Sequence, residues 1–239
     1  MNPSSHSACE RAIFDADGAV PLTWARGSRA LQITNLGDAL SPVIVVALSG
    51  LRVKYADRSS PMPRMSAIGT IGQKLAGGTV HIWGTGFDAT RNAVDDTIPH
   101  YILPPGTTLL PYAVRGPFSR CILADVGIDV PPIYGDPAWF LPRIHAAKVQ
   151  KKAELGVVLH LSELAERSCD AVAKPQLKRC GLSEADASSI KIINTYHRPN
   201  YSSLTDKLDE ILSCKRIVST SFHGMMLADA YRIPCAFFS

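Results

Sequence analysis

Short apolar runs separated by polar turns recur along this chain, and the clearest of them lies near its end. Arg216 to Thr220 is a β-branched stretch that reads as a buried strand. A polar turn from Ser219 to Gly224 follows, then an apolar helix that stops before Pro234, then a last strand from Cys235 to Phe238. The pattern predicts a βαβ unit. Ligands of open parallel sheets sit outside the carboxyl ends of the strands, against helix N-termini, and His223 falls on that rim.

The same alternation is legible upstream. Residues 1–20 read as a loose arm. Ala30 to Thr34 predicts a strand, Asn35-Leu-Gly-Asp38 a tight loop, and the apolar segment to Leu51 a helix. Gly37 lets the backbone turn, and Asp38 stands where a helix N-cap belongs. Residues 52–67, rich in Pro and basic side chains (Arg52, Lys54, Arg58, Arg64), predict an exposed loop, and Ile68 to Leu75 a helix. Strand Thr79 to Trp83 runs into Gly84-Thr-Gly-Phe-Asp-Ala89, a G-x-G-x-x-A pattern. A dinucleotide site is rejected, because Pro99 limits the next helix and no acidic residue stands at the ribose position. Leu109 to Val114 is a further strand, followed by Arg115-Gly-Pro-Phe-Ser-Arg120 and a helix to about Val126, with Pro117 suited to its first turn. Arg115 at a strand's carboxyl end can grip a carboxylate or phosphate bidentately. Ile133 to Gly135 is a brief strand before Asp136-Pro137.

From Leu141 to Glu154 the chain is basic and reads as a helical connector. A second α/β pattern begins there: strand Leu155 to Leu159, strand Ser189 to Asn194 ending in Thr-Tyr-His197-Arg198, and a helix from about Ser202 to Ser213. The fold class is therefore α/β and GT-B-like, with two Rossmann-type doubly wound domains facing a cleft. The expected boundaries are an arm at 1–20, a first domain at 21–145 and a second at 146–239. The second is expected to be incomplete, since the chain stops just after a strand.

Composition narrows the chemistry. With 46% apolar and 19% charged residues the chain has the balance of an ordinary α/β enzyme. A formal charge of +4 suits an anionic substrate but is too weak and dispersed for nucleic acid. Cys9, Cys121, Cys169, Cys180, Cys214 and Cys235 form no C-x-x-C pair and read as reduced thiols, mostly core filler. Residues 1–17 lack the basic start and apolar run of a signal peptide, and Pro42 to Leu51 is too short for the roughly 20 residues of a membrane span. A cytoplasmic protein is expected, compatible with peripheral contact at the inner membrane face.

Several marks stand in one order: Asn35-Leu-Gly-Asp38, Trp83-Gly-Thr-Gly86, Val114-Arg-Gly-Pro-Phe-Ser119, Tyr134-Gly-Asp-Pro-Ala138, and Ser219-Thr-Ser-Phe-His-Gly224 with Ala230-Tyr-Arg-Ile-Pro234. Each is weak alone. Together, over roughly residues 30–239, they resemble the polysaccharide pyruvyl transferase family. The resemblance implies a GT-B-like fold and transfer of a carboxyethylidene group from phosphoenolpyruvate to a sugar of a bacterial exopolysaccharide repeat unit, giving a pyruvate ketal. It implies His223 as general acid, Arg115 as ligand of the donor's phosphate or carboxylate, and the Asn35–Asp38 loop on the acceptor side, with Asp38 the candidate base. Gly224 and its neighbour Ser221 would help hold the donor. Gly37, Gly84, Gly86, Ser119 and Asp136 complete the candidate substrate-binding set, with His197 and Arg198 as candidates for the donor phosphate. Phe222 departs from a position where the family often has leucine.

The chemistry fits these residue types without the name. Protonating the methylene of phosphoenolpyruvate opens its central carbon to a sugar hydroxyl, and histidine is the side chain whose pKa lies nearest neutrality. No cofactor or metal is called for, and the expected partners are phosphoenolpyruvate and a saccharide acceptor, lipid-linked. Two other readings stand beside this one: a GT-B glycosyltransferase using a nucleotide sugar, and a non-catalytic scaffold subunit of polysaccharide assembly. His81 and His160 read as packed residues. Trp83 reads as core that can also stack on a sugar.

Overall fold

The computed structural model describes residues 17–238 apart from 96, 98–99, 147 and 173–189. Most of the expected arm, Cys9, Pro99 and Cys180 lie outside the described residues. The chain divides into two compact units, one formed by residues up to Ala25 with Leu40–Pro137, the other by Arg26–Ala39 with Ala138 onward. Residues 26–39 cluster with the second unit, and the later break between the units follows Pro137.

The first unit is built on five parallel strands: β1 (Val20–Thr23), β3 (Val53–Tyr55), β4 (Arg64–Ser66), β5 (Gly78–Trp83) and β6 (Thr107–Ala113), in the order β3-β1-β4-β5-β6. The period-2 alternation of β6, with Thr107 and Leu109 buried and Thr108 and Leu110 exposed, marks a half-covered strand. Its inner face joins Val80, Ile82, Leu75, Phe87 and Leu123 in one apolar cluster. Helix α2 (Pro117–Asp125) starts with Pro117 in its first turn, where the missing N–H has no intrahelical partner to lose.

The second unit is built on β7 (Ala153–Val158), β8 (Ile190–Ile193), β10 (Cys214–Ser219) and β11 (Cys235–Phe237), all parallel, in the order β11-β10-β7-β8. Helix α4 (Tyr201–Leu212) is capped by Asn200, whose side chain accepts from Ser203 N–H, and buries Leu204, Leu208, Ile211 and Leu212. Helix α5 (Phe222–Ala230) joins β10 to β11, as the terminal pattern predicts. A two-residue antiparallel ribbon pairs β2 (Thr34–Asn35) with β9 (Tyr196–His197). It leads directly into helix α1 (Leu36–Ser49), whose residues 36–39 belong to the second unit. Two parallel-stranded α/β units agree with the Rossmann-like expectation.

Several local expectations are corrected. Residues 30–34 are mostly turn, with only Thr34–Asn35 in a strand, because the segment bends back through the Ser28–Ile33 bridge. Ile68–Leu75 holds only a short 3-10 turn (Gly72–Lys74), and the basic connector only a four-residue helix, α3 (Leu141–Ile144). Cys121 and His160 are exposed rather than packed. Residues 52–67 keep an exposed turn at 56–63 but also hold two short strands, β3 and β4, and Arg64 is fully buried. Its guanidinium donates to the carbonyls of Arg58, Ser60, Met62, Ala76 and Gly77, tying the turn before β4 to the turn before β5. A buried charge is tolerable here because backbone oxygens replace its water.

Removing that guanidinium deprives several part-buried carbonyls of their donor at once. Arg64→Ala should lower unfolding free energy by about 3 kcal/mol or more, and Arg64→Lys, with fewer donors in the wrong geometry, by at least about 1 kcal/mol. Urea unfolding of the three proteins checks this; a wild-type midpoint for Arg64→Ala would contradict it.

Candidate functional site

In the first unit the carboxyl ends of β4, β5 and β6 are stitched together by the Gly84–Gly86 turn. Gly84 has φ +89, and a Cβ there would overlap Pro137 and crowd the Gly135 carbonyl. Only glycine meets both demands without strain. Gly84 N–H donates to Ala113 O (2.9 Å), Gly86 N–H to Gly69 O (3.0 Å), and Phe87 N–H to the Ser119 hydroxyl (3.1 Å). The Thr85 hydroxyl meets Ser66 Oγ at 2.8 Å. These N–H groups bond to the end of β6, to the segment after β4 and to α2, so the turn braces them, and Ser119 is one of its anchors.

What the brace supports is Arg115. Its backbone N–H donates to Thr85 O at 3.3 Å, and its guanidinium lies against Gly86, where a Cβ would come within 3.2 Å of Nη1. Nη2 stands 3.1 Å from Asp136 Oδ2, and Nη1 donates to Thr70 Oγ1 at 2.6 Å. The Asp136 side chain is 1% exposed and that of Arg115 16%. The carboxylate is thus a positioning group that holds the cation in one rotamer, at a depth where charge interactions are stronger than in bulk water. Thr70 was not singled out from sequence, because nothing in its surroundings there ties it to a residue 45 positions away.

In the second unit the ring of His223 lies on Gly37. A Cβ at position 37 would overlap Nδ1, Cγ and Cε1 of the imidazole. Both residues sit in the first turn of a helix, His223 in α5 and Gly37 in α1, so two helix N-termini meet around one imidazole. Asn35, not Asp38, fills the capping position: its Oδ1 accepts from Gly37 N–H at 3.1 Å, and its Nδ2 donates to Thr195 Oγ1 at 3.2 Å. Leu36 N–H donates to Thr195 O at 2.9 Å. Thr195 is buried just past the end of β8, so the start of α1 is pinned to the rim of the second unit's sheet. Asp38 lies inside the first turn of α1, one residue beyond the contact.

The turn that carries His223 is fixed with equal care. Buried Ser219 donates to Ser221 O at 2.7 Å and accepts from Ser221 N–H at 3.1 Å. Gly224 packs against Ser219 and Val158, where a Cβ would stand 2.5 Å from Ser219 Oγ and 2.6 Å from Val158 Cγ1. Ser221 and Gly224 therefore shape the approach of α5 to β7 and β10. The ring of Phe222 meets that of His223 edge-on, with centroids 5.5 Å apart. His197 is buried in the β9 ribbon with its Nδ1 2.7 Å from Arg198 O, and burial pushes its pKa down, so it is a neutral packed residue; Arg198 is exposed. Arg115 and Asp136 belong to the first unit, and His223, Gly37, Asp38, Asn35 and His197 to the second.

A family model described as polysaccharide pyruvyl transferase matches residues 69–239, which include both the Arg115 and the His223 segments. The chain belongs to the polysaccharide pyruvyl transferase family. The match begins after Asn35–Asp38, so that loop lies outside it. No curated protein and no solved structure matches the chain. For a pyruvyl transferase family member, no described helix is long and apolar enough to cross a membrane.

The contact between residue 37 and the imidazole makes a prediction of sign. Gly→Ala inside a helix ordinarily stabilises by up to about 1 kcal/mol. Gly37→Ala should instead destabilise by about 1–3 kcal/mol, because the new methyl collides with the ring. In a His223→Ala background the collision is gone, and the same substitution should become neutral or stabilising. A double-mutant cycle by urea unfolding measures this, and additive effects would refute the contact.

Proposed function

We propose that this protein transfers a pyruvyl group from phosphoenolpyruvate to a saccharide, forming a cyclic ketal on two hydroxyls of one sugar. The observation that carries the proposal is the seating of His223 on Gly37 where two helix N-termini meet. Helix N-termini carry partial positive charge and exposed N–H groups, which favour an anionic substrate.

In the proposed reaction His223 delivers a proton to the methylene carbon of phosphoenolpyruvate. The central carbon becomes electrophilic, an acceptor hydroxyl adds to it, phosphate departs with its bridging oxygen, and a second hydroxyl closes the ring. Asp38, in the same helical turn as Gly37, takes the proton of one hydroxyl. Arg115, held in one rotamer by Asp136 and Thr70, binds an anionic group of the donor. The reaction as proposed uses side chains and the donor alone, without a cofactor. Because phosphoenolpyruvate is made inside the cell, the reaction is placed in the cytoplasm, on a saccharide carried by a lipid.

The proposal is tested by phosphate release from phosphoenolpyruvate in the presence of a panel of aryl hexosides. Wild type should turn over with at least one of them, and its melting temperature should rise with phosphoenolpyruvate and not with a nucleotide sugar. His223→Ala should lose about 10²–10⁴-fold in kcat, and Arg115→Ala about 10²–10³-fold in kcat/KM. Stabilisation by nucleotide sugars, or wild-type turnover in both variants, would overturn the assignment.

A further inference from the structure

Closing a ketal removes protons from two sugar hydroxyls, and Asp38 accounts for one of them. In the second unit's sheet the chain leaves β7 toward β8 on one side and returns through β10 toward β11 on the other. The strand order therefore reverses between β7 and β10. In open parallel sheets the crevice at such a reversal, outside the carboxyl ends of the strands, is where ligands bind. His223 stands in the first turn of the helix that follows β10.

The turn after β7, Leu161–Glu163, is clamped to the His223 segment. Thr220 N–H donates to Val158 O at 3.0 Å, and the Thr220 hydroxyl accepts from His160 N–H at 2.9 Å. The same hydroxyl donates to the Glu163 carboxylate. Glu163 N–H in turn donates to His160 O at 2.9 Å, fixing the backbone below the side chain. A half-buried carboxylate is thus held across the reversal, bonded to a residue three positions before His223.

We infer that Glu163 is the second proton acceptor of the reaction, a catalytic residue that takes the proton of the other acceptor hydroxyl as that oxygen bonds to the central carbon. The inference rests on the proposed pyruvyl transfer. Its protons balance: His223 gives one to the methylene carbon, Asp38 and Glu163 take two from the hydroxyls, and these two restore His223 and leave on phosphate. The hydroxyl of Thr220 sets the direction in which the carboxylate faces, and Thr220 is a positioning residue.

The test uses Glu163→Gln, which keeps an oxygen for Thr220 to bond but cannot accept a proton, and Glu163→Asp, which can. With the aryl hexoside that wild type uses, Glu163→Gln should lose about 10²-fold or more in kcat, with Glu163→Asp between the two. The rise in melting temperature with phosphoenolpyruvate should be unchanged in both. Wild-type turnover by Glu163→Gln would overturn this inference alone. Loss of the phosphoenolpyruvate response in Glu163→Gln would overturn it as well, by making Glu163 part of donor binding. If wild type releases no phosphate with any hexoside, the pyruvyl transfer and this inference fall together.

Discussion

A close approach between an imidazole and a backbone with no side chain sets the geometry of the second unit. The ring of His223 occupies the space where any residue but glycine would place its Cβ at position 37. To bring those two points together the chain uses a ribbon, β2 with β9, and a pair of bonds from Asn35 and Leu36 to Thr195. From the other direction it uses the Ser219–Ser221 bonds and the fit of Gly224 on Val158. Each of these features is local and individually modest. Their joint effect is to hold one titratable ring at two helix N-termini, on the rim of a parallel sheet where anions are favoured.

The first unit solves a related problem differently. Arg115 is mobile by nature, a long side chain with considerable rotamer entropy. Asp136, Thr70 and the flat surface of Gly86 restrict that freedom. The glycine turn that resembles a nucleotide fingerprint has the N–H groups of Gly84, Gly86 and Phe87 bonded to Ala113, Gly69 and Ser119 of the same unit. Arg64 shows the opposite use of the same side chain: buried, surrounded by carbonyls, and joining turns.

Long or β-branched elements were legible in the sequence. The β10–α5–β11 unit, β5, β6, α2 and α4 follow from apolar runs and from Pro117 and Pro234, because a buried strand or a capped helix leaves a local signature. Other elements left none. β3 and β4 are three residues each and carry Lys54 and Arg64, so their charge masks their place in a sheet. The cap of α1 is displaced from Asp38 to Asn35 because the ribbon partner, about 160 residues away, fixes where the helix starts. His223 and Arg115 stood out as residue types in ordered motifs. Asp136 stood out beside them, but its partnership with Arg115, like those of Thr70, Thr195, Thr220 and Glu163, depends on contacts that sequence spacing does not display.

The central claim is that an imidazole at this rim protonates the methylene carbon of an enol phosphate while that carbon's neighbour bonds to a sugar. The most direct measurement is to run the reaction in heavy water and examine the methyl group of the ketal product by NMR and mass spectrometry. A proton delivered from an exchangeable histidine predicts one deuterium in each product methyl, as CH2D. A product whose methyl carries no deuterium, or that retains the phosphate, would contradict the account.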